Sequence, residues 1–188
     1  MNRQSKLLAL GCCIALILMF QALSWGADVE PKVGQQLGPV KFAKPFGGDE
    51  DARYLGLEKA GEFTLKDVKS PYVLVEQFST TCPHCMAQAP VMNYLYNLVN
   101  QDPKLKDKIK FMAVGQGDTE DRLKMWKAVN KVPFPLIQDP NNTLGDALNF
   151  HPYPVTMLLD KAGKIVFLHI GAFDSADEVL KEIKAAAK

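Results

Sequence analysis

The stretch YVLVEQFSTTCPHC, residues 72–85, constrains the fold more than any other part of the chain. Tyr72 to Phe78 is rich in β-branched and aromatic residues, as a strand buried on both faces is. Cys82-Pro83-His84-Cys85 follows at once, and Val91, Leu95 and Leu98 then recur at helical spacing to about Asn100. A strand that runs through Cys-x-x-Cys into a helix puts Cys82 on the first helical turn. There, free backbone N–H groups and the positive end of the helix dipole favour thiolate over thiol. The thiolate is the nucleophile of disulfide exchange, so this placement activates the sulfur that attacks. Cys85 lies one turn further on, where it can close an internal disulfide and resolve a mixed one.

The chain has two other cysteines, Cys12 and Cys13, and both lie in an N-terminal segment with a different purpose. Arg3 and Lys6 form a basic start, Leu7 to Phe20 is an unbroken apolar or small-residue run, and polar sequence begins after Ala27. This is a secretory signal pattern. As a helix the run spans about 21 Å, short of the ~30 Å membrane core. Residues 1–27 are therefore read as a cleaved signal peptide, with an uncleaved anchor through residues 7–23 as the alternative. Cys12 sits too early in the run to be a lipid-attachment site. Export implies a periplasmic or other extracytoplasmic location. It also leaves Cys82 and Cys85 as a lone pair that closes almost no loop, so their value is chemical rather than structural.

A zinc site uses the same Cys-x-x-Cys spacing but needs two more ligands. The exported chain has no further cysteine, and its histidines are His84, His151 and His169. The pattern requires no metal and no cofactor. Residues 1–27 carry two of the 22 basic residues and none of the 21 acidic ones, so the exported chain has a net charge of −1. Nothing in that balance points to nucleic acid or an anionic membrane surface. The basic-rich run from Lys104 to Lys110 reads as a solvated linker between helix and strand.

Residues 28–59 are loosely patterned and are read as an N-terminal extension, and residues 60–188 as one α/β domain. Val40 to Phe42 suits a short strand, and Phe63 to Val68 an extended piece feeding a turn at Ser70-Pro71. Ile109 to Val114 is a second buried strand, followed by a loop at Gly115-Gln116-Gly117 that lacks phosphate-cradle spacing. Asp118 suits the N-cap of a helix through Asn130. Phe134 to Gln138 is a short extended segment, and Asn142 to Asn149 a short helix. Val155 to Asp160 and Lys164 to Ile170 form a hairpin around Lys161-Ala162-Gly163. Ser175 and Glu178 form a capping box for a last helix bearing Val179, Leu180 and Ile183 on one face. Strand–helix–strand units imply parallel pairing with right-handed crossovers, and the hairpin adds antiparallel strands. The expected fold is a mixed central β-sheet with helices on both faces.

Several further residues bear on the dithiol. Pro83 suits the first helical turn. His84, between the cysteines, adds positive potential or a donor beside Cys82 and would make the disulfide more oxidising; the alternative is a solvent-facing helix residue. Glu76 is a carboxylate inside an apolar strand, six residues before Cys82. Buried there, it would have a raised pKa and could take the proton that Cys85 loses when it attacks; the alternative is an edge-strand residue facing water. His151-Pro152-Tyr153-Pro154 precedes the hairpin, where a proline is awkward for the ladder and a cis Tyr153–Pro154 bond would make a tight turn. Tyr153 flanks the dithiol in this reading. His151 is either a second flanking residue or an ordinary loop residue, and His169 is structural.

These motifs together resemble the thioredoxin superfamily over residues 60–188. FTLKDVKSPYVLVEQFSTTCPHC and FPLIQDPNNTLGDALNFHPYPVTMLLDKAGKI resemble its TlpA/ResA-like, redoxin-type periplasmic branch. The resemblance implies a thioredoxin-like fold, with Cys82 attacking, Cys85 resolving, and Pro154 as the cis-proline that shapes a substrate groove with Pro83 and Tyr153. Pro90 matches the proline that kinks the active-site helix. Two features depart from that branch. The Pro-His pair is that of DsbA-type oxidases, and Glu76 falls where those oxidases and thioredoxins keep a buried acid, whereas the ResA-type glutamate six residues after the first cysteine is Gln88. The chain between Cys85 and Pro154 is too short for the helical domain of the DsbA type. Thr80-Thr81 replaces the usual tryptophan before the motif.

The expected function is exchange of disulfides with cysteines of exported proteins through the Cys82–Cys85 dithiol. A membrane or periplasmic redox partner would recharge it, and reduction is slightly favoured over oxidation. One alternative is a soft-metal carrier, since copper(I) suits thiolates. The other is a peroxiredoxin-like peroxidase, for which Ser79 fits but Val75 stands where that family has proline.

Overall fold

The computed structural model describes residues 28–187; the expected signal peptide with Cys12 and Cys13, and the last residue, lie outside the described residues. The helices are α1 (Asp49–Leu55), α2 (Pro83–Gln101), α3 (Glu120–Asn130), α4 (Thr143–Leu148) and α5 (Ala176–Ala186). The strands are β1 (Tyr72–Phe78), β2 (Ile109–Gln116), β3 (Leu136–Asp139), β4 (Val155–Asp160) and β5 (Ile165–Ile170). They form one five-stranded sheet in the order β3-β2-β1-β4-β5. The pairs β1–β2 and β2–β3 are parallel, because helices α2 and α3 carry the chain back across the sheet. The β4–β5 hairpin joins antiparallel to the other side of β1. This is the mixed sheet of a thioredoxin-like α/β fold.

The alternation along β1 sorts two cores. Leu74 and Phe78 pack on one face with Leu95 of α2, Leu123 and Trp126 of α3, and Ile183 of α5. Val73 and Val75 pack on the other with Leu144 and Leu148 of α4. That second face is also covered by Leu37, Val40, Phe42, Leu55 and Phe63 from the segment that precedes β1. Each such side chain, once buried, contributes about 1.5–3 kcal/mol. The sheet is thus closed on both sides, and the ends of β1 and β4 are left to carry the site.

Four local expectations are corrected. Val40 to Phe42 forms no strand; it contributes one isolated bridge, Phe42 to Phe63. Phe63 to Val68 is not extended throughout, because Thr64 and Asp67 cap a 3-10 turn over Leu65–Asp67. Gly115 and Gln116 are not loop: parallel pairing with Gln138 and Asp139 carries β2 through Gln116. Helix α3 is capped by Thr119, whose hydroxyl accepts the Arg122 N–H at 3.4 Å, and not by Asp118. Among the described residues no helix is long and apolar enough to cross a membrane.

Candidate active site

Cys82 is the N-cap of α2, and Pro83 opens its first turn. The cap geometry arises because β1 ends at Phe78 and the chain turns through Ser79-Thr80-Thr81 before Pro83 sets helical φ. The Cys82 sulfur accepts the Cys85 backbone N–H at 3.4 Å. The two thiols are free, and both side chains are buried, Cys85 completely and Cys82 with 7% of its surface exposed. His84 lies between them in solvent. Pro90 falls inside α2, where it offers no N–H to the carbonyl four residues earlier.

Desolvation pushes the Cys85 thiol well above the ordinary thiol range, against a hydrogen bond with the Ser79 backbone. The Cys82 thiol and the Glu76 carboxylate, both close enough to act on it, raise it further. The resolving sulfur therefore needs a base.

Glu76 is buried, with 6% of its surface exposed, so the edge-strand alternative is excluded. Burial pushes its carboxyl up to about 7, opposed by a hydrogen bond from Gln88. Gln88, one helical turn beyond Cys85, donates its Nε2 to Glu76 Oε1 at 2.7 Å and to Thr156 Oγ1 at 3.3 Å. Its own oxygen accepts the Phe173 N–H at 3.1 Å, which fixes the amide so that its donor side faces Glu76. The sequence marked Gln88 only as a departure from a family pattern; the structure makes it the partner of the buried acid.

The opposite wall of the dithiol comes from the loop before β4. The Tyr153–Pro154 bond is cis. Tyr153 is exposed, and its carbonyl accepts from the Cys82 thiol across 3.9 Å. The Pro154 carbonyl accepts the Gly171 N–H at 2.9 Å. Gln77, fully buried in β1, donates to the carbonyls of Phe150 at 3.2 Å and Pro152 at 3.0 Å, and so holds this loop against the strand that delivers Cys82. Sequence reasoning missed Gln77; its only signal was an amide beside Glu76 in an otherwise apolar strand. His151 is not turned to the dithiol. Its ring nitrogens are taken by Asp28 at 2.8 Å and Asp146 at 2.9 Å, carboxylates that push its pKa up. His169 stacks edge-on against Phe173 with ring centres 5.4 Å apart, a packing role.

Asp118 has a different task from the cap expected of it. It is buried, and its carboxylate accepts the Thr80 N–H at 2.8 Å and the Thr80 hydroxyl. This fastens the loop that leads into Cys82 to the end of β2. Asp118→Ala leaves both donors of Thr80 without that acceptor, at an expected cost of about 1–3 kcal/mol. A lower urea midpoint checks it; an unchanged midpoint would mean that solvent replaces the carboxylate fully.

The AhpC/TSA family matches residues 49–168. The chain is 32% identical over 146 residues to a thiol-disulfide oxidoreductase ResA of Bacillus cereus, covering 71% of this chain and 81% of that protein. It is 26% identical over 119 residues to ResA of Geobacillus kaustophilus, covering 63% and 66%. Its fold is similar to a thiol:disulfide interchange protein from Bacteroides sp., with TM-score 0.62, 17% identity and coverage of 84% and 91%. It is also similar to StoA from Bacillus subtilis, with TM-score 0.57, 17% identity and coverage of 78% and 98%.

Proposed function

This chain belongs to the AhpC/TSA family, and on that premise we propose that it is an exported thiol–disulfide oxidoreductase that reduces disulfides in other exported proteins. The observation that carries the reading is the position of two free thiols at the start of α2, one at the groove beside Tyr153 and one wholly buried near Glu76. Similarity to ResA proteins, named as thiol-disulfide oxidoreductases, supports it.

In the proposed cycle the Cys82 thiolate attacks one sulfur of a substrate disulfide. The other substrate sulfur leaves as a thiolate and takes a proton from solvent. Cys85 then gives its proton to Glu76, and its thiolate attacks the Cys82 sulfur. The second substrate sulfur departs as a thiolate, and Cys82–Cys85 is left as a disulfide. Two electrons have passed to the substrate, and a membrane or periplasmic dithiol returns them. Pro154 and Tyr153 shape the groove in which the mixed disulfide forms, and Pro83 borders it.

The reduction potential of the pair tests the direction. A value more negative than about −200 mV fits a reductase, and one near about −120 mV fits an oxidase. His84 sets where in that range the couple falls, because a polar donor beside Cys82 favours the reduced form. His84→Val is expected to make the couple more reducing by about 30 mV or more, a tenfold change in its equilibrium with glutathione. An unchanged potential would assign His84 to the surface alone.

The peroxidase alternative finds no support at Val75, which lies mid-strand, fully buried and paired with Met112 and Met157. A copper(I) carrier would rest on Cys82 and Cys85 alone. Among the described residues no group of three or more histidines, cysteines or carboxylates gathers to hold a metal.

A further inference from the structure

A small cavity borders the buried acid. It is lined by Glu76 and Asn93 together with Ala113, Trp126, Phe134 and Leu136, and leaves about 10 Å³ for the centre of a water molecule. Roughly 10–15 Å³ on this measure suffices for one water, provided that it finds at least two polar partners. The space exists because the residue paired with Glu76 on β2 is Ala113, whose side chain is too short to fill it.

The two polar walls are both acceptors. Asn93 Oδ1 is buried with no hydrogen-bond partner among the described residues. The amide cannot turn to relieve this, because Nδ2 donates to the Asn130 carbonyl at 2.7 Å and faces that of Lys131 at 3.5 Å. A flipped amide would set oxygen against oxygen there. Glu76 uses Oε1 to accept from Gln88, and a carboxylate offers roughly four lone-pair sites, so acceptor capacity remains. The other lining side chains are apolar apart from the Trp126 indole N–H. A water has two hydrogens to give, and Glu76 and Asn93 offer two side-chain acceptors for them. An orphaned amide oxygen in a native interior is destabilising, and such a water removes that cost.

We propose that the cavity binds one water molecule, hydrogen-bonded to Glu76 and to Asn93 Oδ1, and that Asn93 is thereby a positioning residue for Glu76 in the resolving step. The proposal rests on the reading of Glu76 as the acceptor of the Cys85 proton. A donor to the carboxylate favours its ionised form over its protonated form. The water thus adds to what Gln88 does from the other side: it keeps a fully buried acid able to be a base near neutral pH.

A crystal structure of the exported chain at water-resolving resolution, together with the pH profile of Cys85-dependent release from a mixed disulfide, tests it. The expected result is one ordered water within hydrogen-bond distance of both Glu76 and Asn93. Asn93→Leu fills the cavity and should abolish that water. Its release profile should move to higher pH by about one unit, with release at pH 7 falling roughly three- to tenfold, while attack by Cys82 keeps its rate. Asn93→Ala removes Oδ1 without adding bulk; it should shift the profile the same way and stands in if the leucine variant fails to fold. A dry cavity in the parent protein overturns the proposal, and so does an unchanged profile in a folded variant. If Glu76→Gln left release unaltered, the proton-acceptor reading and the role given to Asn93 would both fall. The water itself would still be decided by the crystal, so the two failures are distinguishable.

Discussion

Cys82→Ser is expected to abolish disulfide exchange: reduction of insulin or of a small aromatic disulfide should fall by at least about three orders of magnitude, to the level of free dithiothreitol alone. A serine hydroxyl in this position has no accessible anion near neutral pH and forms no mixed disulfide. Cys85→Ser should give a different result that identifies the order of attack. If Cys82 attacks and Cys85 resolves, nothing resolves the adduct in this variant, so a mixed disulfide with substrate should accumulate and be seen as a mass increase that dithiothreitol removes. The geometry supports this assignment in both parts. Cys82 lies within reach of the carbonyl of the exposed Tyr153, whereas Cys85 is wholly buried and its thiol is pushed up by desolvation. Adduct formation by Cys82→Ser in place of Cys85→Ser would reverse the roles. Stability does not explain a loss in Cys82→Ser, since serine is a good cap at this N-cap.

The part of this site that local chain order determines was readable from sequence. A buried strand, Cys-x-x-Cys and an amphipathic helix follow one another without interruption, so the placement of Cys82 at the start of α2 needed no knowledge of the rest. Glu76 was readable for the same reason: a carboxylate in a run such as YVLVEQF has no polar face to occupy. The residues that were misread or missed depend on partners far away in the chain. Gln77 acts through carbonyls 73 and 75 residues away, and nothing in the strand announces that. By local rule Asp118 is a better cap than Thr119. The choice between them was settled by Thr80, 38 residues earlier, which takes the carboxylate and leaves the cap to the threonine. The cover over the second face of the sheet was also hidden. Leu37 and Val40 are three residues apart and Val40 and Phe42 two, so the three keep no single period; they pack from irregular backbone.

The buried acid makes stability and activity oppose each other, and Glu76→Gln separates them. In the unfolded chain a glutamate titrates near 4.5, and in the folded protein burial raises Glu76 to about 7. Between those values the folded chain keeps a proton that the unfolded chain has released. The unfolding free energy therefore falls as pH rises through this window and levels off above it. The sum is about 3 kcal/mol lost between pH 4 and pH 8 from this residue. Glutamine stays neutral, accepts the Gln88 amide in the same way, and has no such loss. Urea denaturation should thus find Glu76→Gln close to the parent at pH 4 and more stable at pH 8, by up to about 3 kcal/mol. Release of substrate from the mixed disulfide should fall roughly a hundredfold at neutral pH, because Cys85 has lost its base. Attack by Cys82, which does not use that base, should be little changed. Equal stabilities at pH 8 would mean that Glu76 is not held neutral by its surroundings. Unaltered release would mean that solvent reaches Cys85 despite its burial. A variant that is both more stable and slower at one step only is the result that fixes Glu76 as a residue kept for its chemistry and against the stability of the fold.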